Sequence, residues 1–278
     1  MTGNDKLYRS AGRHVFVAVA LAFPLMSFPC AQGAPQAAGL LVLGAVGQAN
    51  EGTIKGRLVW GGETVPPLVD AIAKGQAPKD PNVCATAQAI RSHDLEVDPK
   101  TKGVAYGFAY LSRPKASNEA LVQQLIAKAP KVEIDQKNCD FLPHSVAMHQ
   151  DQTLVMKSSD PVSHNVRLTG FTNPGINQVV APNGQLPVKL AAERLPMRVG
   201  CDIHPWMHGH VMVFDHPFFA VTGADGSFEL KGVPAGEFKL VVWQETVGYV
   251  TPGKGLGTPV TVKAGEVTDV GEIKLSPK

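Results

Sequence analysis

The sequence predicts an all-β protein. Short runs of Val, Ile, Leu and Phe recur along the chain, and 28 glycines and 22 prolines punctuate them. Several runs alternate apolar with polar residues, as half-buried strands do. At 278 residues the chain is long enough for two ordinary domains with cores of their own.

Taken in order, the first segment is a targeting signal. Lys6, Arg9 and Arg13 precede an apolar run from Val15 to about Phe28, with small residues after it, which predicts an export signal over residues 1–33. A further apolar stretch allows cleavage as late as residue 49. Pro24 and Pro29 leave the first run short for a span, so no stable membrane span is expected after processing; a retained anchor is the alternative. Ser-Phe-Pro before Cys30 fits a lipidation site poorly. The expected location is the periplasm, the cell envelope or the extracellular space. The formal charge of +2 comes from this leader, where three basic side chains face one acid, and no Lys/Arg stripe follows. A nucleic-acid partner is not expected.

Residues 51–60 (EGTIKGRLVW) alternate as a strand, and Gly61-Gly62 turns the chain. Residues 65–99 read as irregular, with a short helix near Leu68 to Lys74 and Cys84 in their middle. A second strand is expected from Val104 to Leu111. Ser117 can cap a helix reaching about Lys128, with Leu121, Val122, Leu125 and Ile126 on one face and Pro130 as its stop. Seven short strands follow, at Lys131 to Asp135, Ser145 to His149, Thr153 to Lys157, His164 to Leu168, Val188 to Leu190, Met197 to Gly200 and His210 to Phe214. Their spacing argues for a Greek-key sandwich or barrel. The remainder holds strands around the turns Ala224-Asp225-Gly226 and Pro234-Ala235-Gly236, and residues 260–267 read as a hairpin.

Export puts the cysteines in an oxidising compartment. Of the four, setting Cys30 aside leaves Cys84, Cys139 and Cys201, an odd number. The economical partition pairs Cys84 with Cys139 and keeps Cys201 as a metal thiolate; two buried thiols are the alternative.

Cys201 opens the run Cys201-Asp-Ile-His204-Pro-Trp-Met207, and Ser163-His164-Asn165-Val166 lies upstream. Together they offer a thiolate, two imidazoles and a thioether, the ligand roster of a type 1 copper site with its His₂Cys plane and weak axial Met. Thiolate favours copper, imidazole suits Cu(I) and Cu(II), and a distant thioether destabilises Cu(II), so one geometry serves both oxidation states. Structural zinc has little use for Met207. Haem attachment requires Cys-x-x-Cys-His, which is absent, and a binuclear copper loop requires a second cysteine. A Cys/His nucleophile leaves His164 and Met207 unexplained.

On these two motifs the segment 131–215 resembles the cupredoxins, its Cys-x2-His-x2-Met spacing looking like the amicyanin loop rather than the longer plastocyanin one. The resemblance implies His164, Cys201, His204 and Met207 as ligands of one copper ion and Asn165 as a brace for the ligand loop. It also implies a docking surface for a redox partner at Pro205 and Trp206, where an imidazole edge reaches solvent. Residues 52–59 (GTIKGRLV) and 222–240 (TGADGSFELKGVPAGEFKL) resemble the first strand and a later hairpin of the carboxypeptidase regulatory-like, transthyretin-like β-sandwich. The expected layout is a split sandwich over 51–115 and 217–278, a helical linker at 116–130, and an inserted cupredoxin domain at 131–215.

The expected function is an exported mononuclear copper protein carrying single electrons between partners such as a c-type cytochrome or a dehydrogenase. No catalytic dyad or triad stands out, so an enzyme is not expected. A copper-delivery protein of the cell envelope and a cell-surface interaction module with a structural or empty metal site are the alternatives. His144, Met148, His149, Met156, His208 and His210 are surplus to one site; they are structural residues or part of a second one.

Overall fold

A computed structural model describes residues 50–276; the expected export signal, its expected cleavage point and Cys30 lie outside the described residues. Almost every element is a strand, and the one α-helix among the described residues is Glu119–Lys128. Its cap is Asn118 rather than Ser117: the Asn118 side chain accepts from the Leu121 N–H, and a helix start needs such an acceptor for its free donors.

Residues 131–214 form two facing sheets. One has the strand order Ile176–Val180, His164–Thr169, Met197–Gly200, His208–Phe214, Ser145–His149; the other runs Gln185–Val188, Thr153–Ser158, Lys131–Gln136, Phe141–Leu142. Ile134, Leu154 and Met156 from the second sheet meet Val166, Val199, Val211 and Val213 from the first in one core. Each such side chain contributes about 1.5–3 kcal/mol by leaving water.

The flanking residues build a second pair of sheets. Glu51–Trp60 lies between Ser227–Pro234 and, in parallel, Val267–Leu275; opposite stand Phe219–Val221, Phe108–Leu111, Gly236–Gln244 and Gly248–Tyr249, with Thr258–Val262 also on Gly236–Gln244. Ile54, Leu58 and Phe228 pack there against Leu111, Leu240 and Val242. The chain thus enters this sandwich, leaves it for the central one and returns.

Several sequence expectations change. The stretch near Leu68 to Lys74 is not helical: Asp70–Ile72 pairs with Ile90–Arg91. Ala77, Cys84, Ala85 and Ile90 join the core of the central sandwich, although they fall within 51–115. Neither expected hairpin forms, because Ser227–Pro234 and Gly236–Gln244 lie in opposite sheets, as do Thr258–Val262 and Val267–Leu275. Each turn carries the chain across the sandwich, where both strands bury one face. Strand Ile176–Val180 had no alternation to show itself, since it is mostly exposed at an edge. Asp225 acts as a turn former, accepting from the Ser227 N–H at 3.0 Å.

The two sandwiches meet along His208–Phe214. Its odd-numbered Val211 and Val213 face the central core, while Met212 and Phe214 pack with Phe108, Tyr110 and Val241 of the flanking sandwich. A strand buried on both faces reads as a continuous apolar run, as Val-Met-Val-Phe does. Among the described residues no helix is long and apolar enough to cross a membrane.

Candidate metal centre

His164 begins a strand of the five-stranded sheet, while Cys201 and His204 sit in the loop between Met197–Gly200 and His208–Phe214. Because those strands are sheet neighbours, the loop folds over the end of the strand carrying His164. Donor atoms of His164, Cys201 and His204 all lie within 4.8 Å of one another, and all three residues are buried. His164 Nδ1 faces His204 Nδ1 at 3.0 Å, and Cys201 Sγ is 3.8 Å from the latter.

The far side of each ring explains what those nitrogens offer. His164 Nε2 donates to Asp160 Oδ2 and His204 Nε2 to Asp80 Oδ2, each at 2.9 Å. A neutral imidazole with one N–H committed outward turns a bare lone pair inward. Two lone pairs facing at 3.0 Å beside a thiol repel unless a proton or a metal ion lies between them. Two imidazole nitrogens about 2.0 Å from one ion stand roughly 3.0–3.5 Å apart, so the spacing fits a shared metal. A soft thiolate in that set selects copper or zinc over hard cations.

The electrostatics favour the thiolate form of Cys201. Burial opposes ionisation of the Cys201 thiol, but hydrogen bonds from His164, His204 and the Asn165 N–H outweigh it and bring its pKa down to about 6. Burial likewise opposes the charged His164 ring, yet Asp160 and Cys201 raise it to about 9. A proton on that ring competes with a metal ion for the inward nitrogen.

Asn165 sits between strand and loop. Its N–H points at Cys201 Sγ at 3.4 Å, its Oδ1 accepts from the Asp202 N–H at 2.5 Å, and its Nδ2 donates to Asn177 at 2.7 Å. Met207 is buried in the central core and ties the loop through its backbone, accepting from the Cys201 N–H at 3.2 Å and donating to His204 at 2.9 Å. Cys84 and Cys139 form a disulfide, and their sulfurs lie beside His204. Closing a loop of 55 residues stabilises the fold by about 4 kcal/mol in the chain-entropy view.

One expectation fails here. The His204 ring does not reach solvent: it is fully buried, because residues 78–84, anchored by the disulfide, lay Asp80 over its Nε2. Pro205 is exposed, but Trp206 is half-buried, with its indole N–H donating to the Cys139 carbonyl at 3.0 Å. The surplus residues divide. Met148 and Met156 are core, and His149 accepts from the Asp151 N–H at 3.3 Å, whereas His144, His208 and His210 gather elsewhere. Sequence reasoning missed Asp80 and Asp160. Both precede a proline, in Asp80-Pro81 and Asp160-Pro161, a signal that reads only as a turn.

No family model matches the chain, and no curated protein matches it. Among solved structures, a copper-containing nitrite reductase from Thermus scotoductus SA-01 aligns at 15% identity over 30% of this chain and 22% of that one, with a TM-score of 0.28. A reduced amicyanin variant aligns at 15% identity over 31% of this chain and 83% of its own, also at 0.28. A purple cupredoxin from Nitrosopumilus maritimus aligns at 18% identity over 30% and 99% of the two chains, at 0.25. Overlap at this level leaves the function to be read from the site itself.

Proposed function

We propose that this chain is an exported mononuclear type 1 copper protein that carries single electrons between redox partners and is not an enzyme. The observation that carries the reading is the buried convergence of His164, Cys201 and His204 donor atoms within 4.8 Å, with a carboxylate behind each imidazole. Bound copper would supply one-electron chemistry in a ligand set that suits both of its oxidation states. Met207 would add a weak thioether donor in this proposal.

The chain's own residues do the rest. Asp160 and Asp80 hold the two rings in one tautomer and orientation, which keeps the lone pairs aimed inward. The Asn165 N–H stabilises negative charge on Cys201 Sγ, and its side chain pins the loop that carries it. Burial of all three donors keeps water from the site, so little has to reorganise when charge changes. The family reading that goes with this is a cupredoxin domain at 131–215 inside a carboxypeptidase regulatory-like sandwich.

Copper delivery is the weaker reading, because handing on a metal needs donors that an incoming ligand can reach. The partner, a c-type cytochrome or a dehydrogenase, would approach where Pro205 and the half-exposed Asp80 flank His204. The test is the visible spectrum of the copper-loaded protein. An intense thiolate-to-Cu(II) band that Cys201→Ser removes is expected; a colourless Cu(II) complex would sink the proposal.

A further inference from the structure

Four residues on the junction side of His208–Phe214 have no role in the site above. His208 and His210 share the parity of Met212 and Phe214, so they face the flanking sandwich. Gly209 between them lets the strand close on its neighbour: a Cβ there would stand 2.4 Å from the His144 carbonyl oxygen. From the flanking side, Glu245 follows strand Gly236–Gln244, and Gln244 Nε2 donates to the Asp94 carbonyl, holding Asp94 beside Glu245. Single donor atoms of Asp94, His144, His208 and Glu245 lie within 4.8 Å of one another.

The hydrogen bonding of this group is incomplete in an informative way. His208 Nδ1 lies 3.2 Å from the Trp206 carbonyl, which can only accept, so Nδ1 carries a proton. Its Nε2 lies 2.5 Å from Asp94 Oδ1, with Glu245 Oε2 at 3.8 Å. A ring nitrogen this close to a carboxylate needs a proton or a metal ion between them. His144 Nε2 meets the other Glu245 oxygen. His210, only 7% exposed, brings Nδ1 to 3.5 Å from Glu245 without a hydrogen bond, and this nitrogen has no partner. The neighbouring His93 shows the contrast, with both nitrogens on carboxylates, Glu96 and Asp140.

We propose that Asp94, His144, His208 and Glu245, with His210 beside them, form a second metal site that takes a divalent first-row transition ion and joins the two sandwiches. Imidazole nitrogen with carboxylate oxygen and no thiolate is the donor set of Zn(II) or non-blue Cu(II). The two carboxylates balance the ion's charge, and the donors are preset from both sides of the junction. The proposal does not depend on the Cys201 site being blue copper.

The test is a Cu(II) titration of the whole chain, counting bound metal and following the visible and electron paramagnetic resonance spectra. A second equivalent that adds no thiolate band but shows nitrogen hyperfine structure is expected. His144→Gln with Glu245→Gln should remove that equivalent and leave the first, whatever colour the first has. His208→Asn, at a half-exposed position, reads the same site should the double variant not fold. Absence of a second equivalent, or its retention in these variants, would overturn the proposal and leave a hydrogen-bonded network.

Discussion

Replacing Asp160 with Asn tests whether a carboxylate remote from the thiolate governs the site. Asp160 is buried, and its two oxygens serve three donors: Oδ1 accepts from the Asn138 N–H at 2.7 Å, and Oδ2 from the Cys139 N–H at 2.8 Å and His164 Nε2 at 2.9 Å. Burial raises its pKa, but the His164 hydrogen bond and the two backbone donors outweigh this and hold it below the usual carboxylate range. Asn138 and Cys139 both have left-handed φ, 56° and 57°, a conformation costing about 1–3 kcal/mol each that surroundings must hold in place.

Asp160→Asn keeps the shape but has one acceptor oxygen, so at least one donor is left facing an NH₂ group. An orphaned buried donor costs about 1–3 kcal/mol, and the remaining bonds fall from charge-assisted to neutral; the sum is roughly 2–4 kcal/mol. At about 2–4 °C per kcal/mol for a chain of this size, the metal-free protein should melt roughly 4–16 °C lower. Copper affinity should drop about 10–100-fold as His164 loses its orienting partner. Thermal unfolding by circular dichroism and competition with a chelator measure the two effects. A melting shift within about 1 °C together with unchanged affinity would refute the role given to Asp160.

Met207→Leu should retain the visible band and raise the reduction potential, since losing even a weak donor takes electron density from Cu(II), the state that needs it more; loss of copper binding instead would refute the role given to Met207. His216 supplies a pH prediction. Burial is the largest cause lowering its pKa from 6.5 to about 4, and its Nδ1 accepts from the Phe218 N–H at 3.2 Å. Between those two values the unfolded chain binds the extra proton and the folded one does not. Stability therefore falls as pH drops from 6.5 towards 4, by at most about 1.4 kcal/mol per pH unit from this group. Urea midpoints across that range should fall less steeply for His216→Gln, and an unchanged slope would remove His216 from the account.

Much of the candidate site was legible because its residues are close together and chemically rare. Cys201, His204 and Met207 fall within seven positions, and His164 stood out through its Asn165 neighbour. The odd cysteine count also led to the Cys84–Cys139 bond that the structure contains. The carboxylates were not legible. Asp80 meets His204 across 124 positions, Asp94 meets His208 across 114, and Glu245 meets His144 across 101; no local pattern marks one aspartate in a turn as different from another. The strand Asp70–Ile72 is three residues long and has no period to display, so its stretch near Leu68 to Lys74 predicts a short helix instead.

By itself the sequence determined the strand class and the short motif that brings a thiol and an imidazole to one loop. These are local properties, set by periodicity, turn residues and the spacing of a few side chains. Tertiary structure decided how the donors are used. It laid Asp80 over His204, put Asp160 behind His164, and turned the even face of His208–Phe214 towards Glu245 and Asp94. The physical reason is that a histidine's role depends on which nitrogen carries its proton. That is settled by the acceptor across the ring, which in this fold comes from another strand or loop.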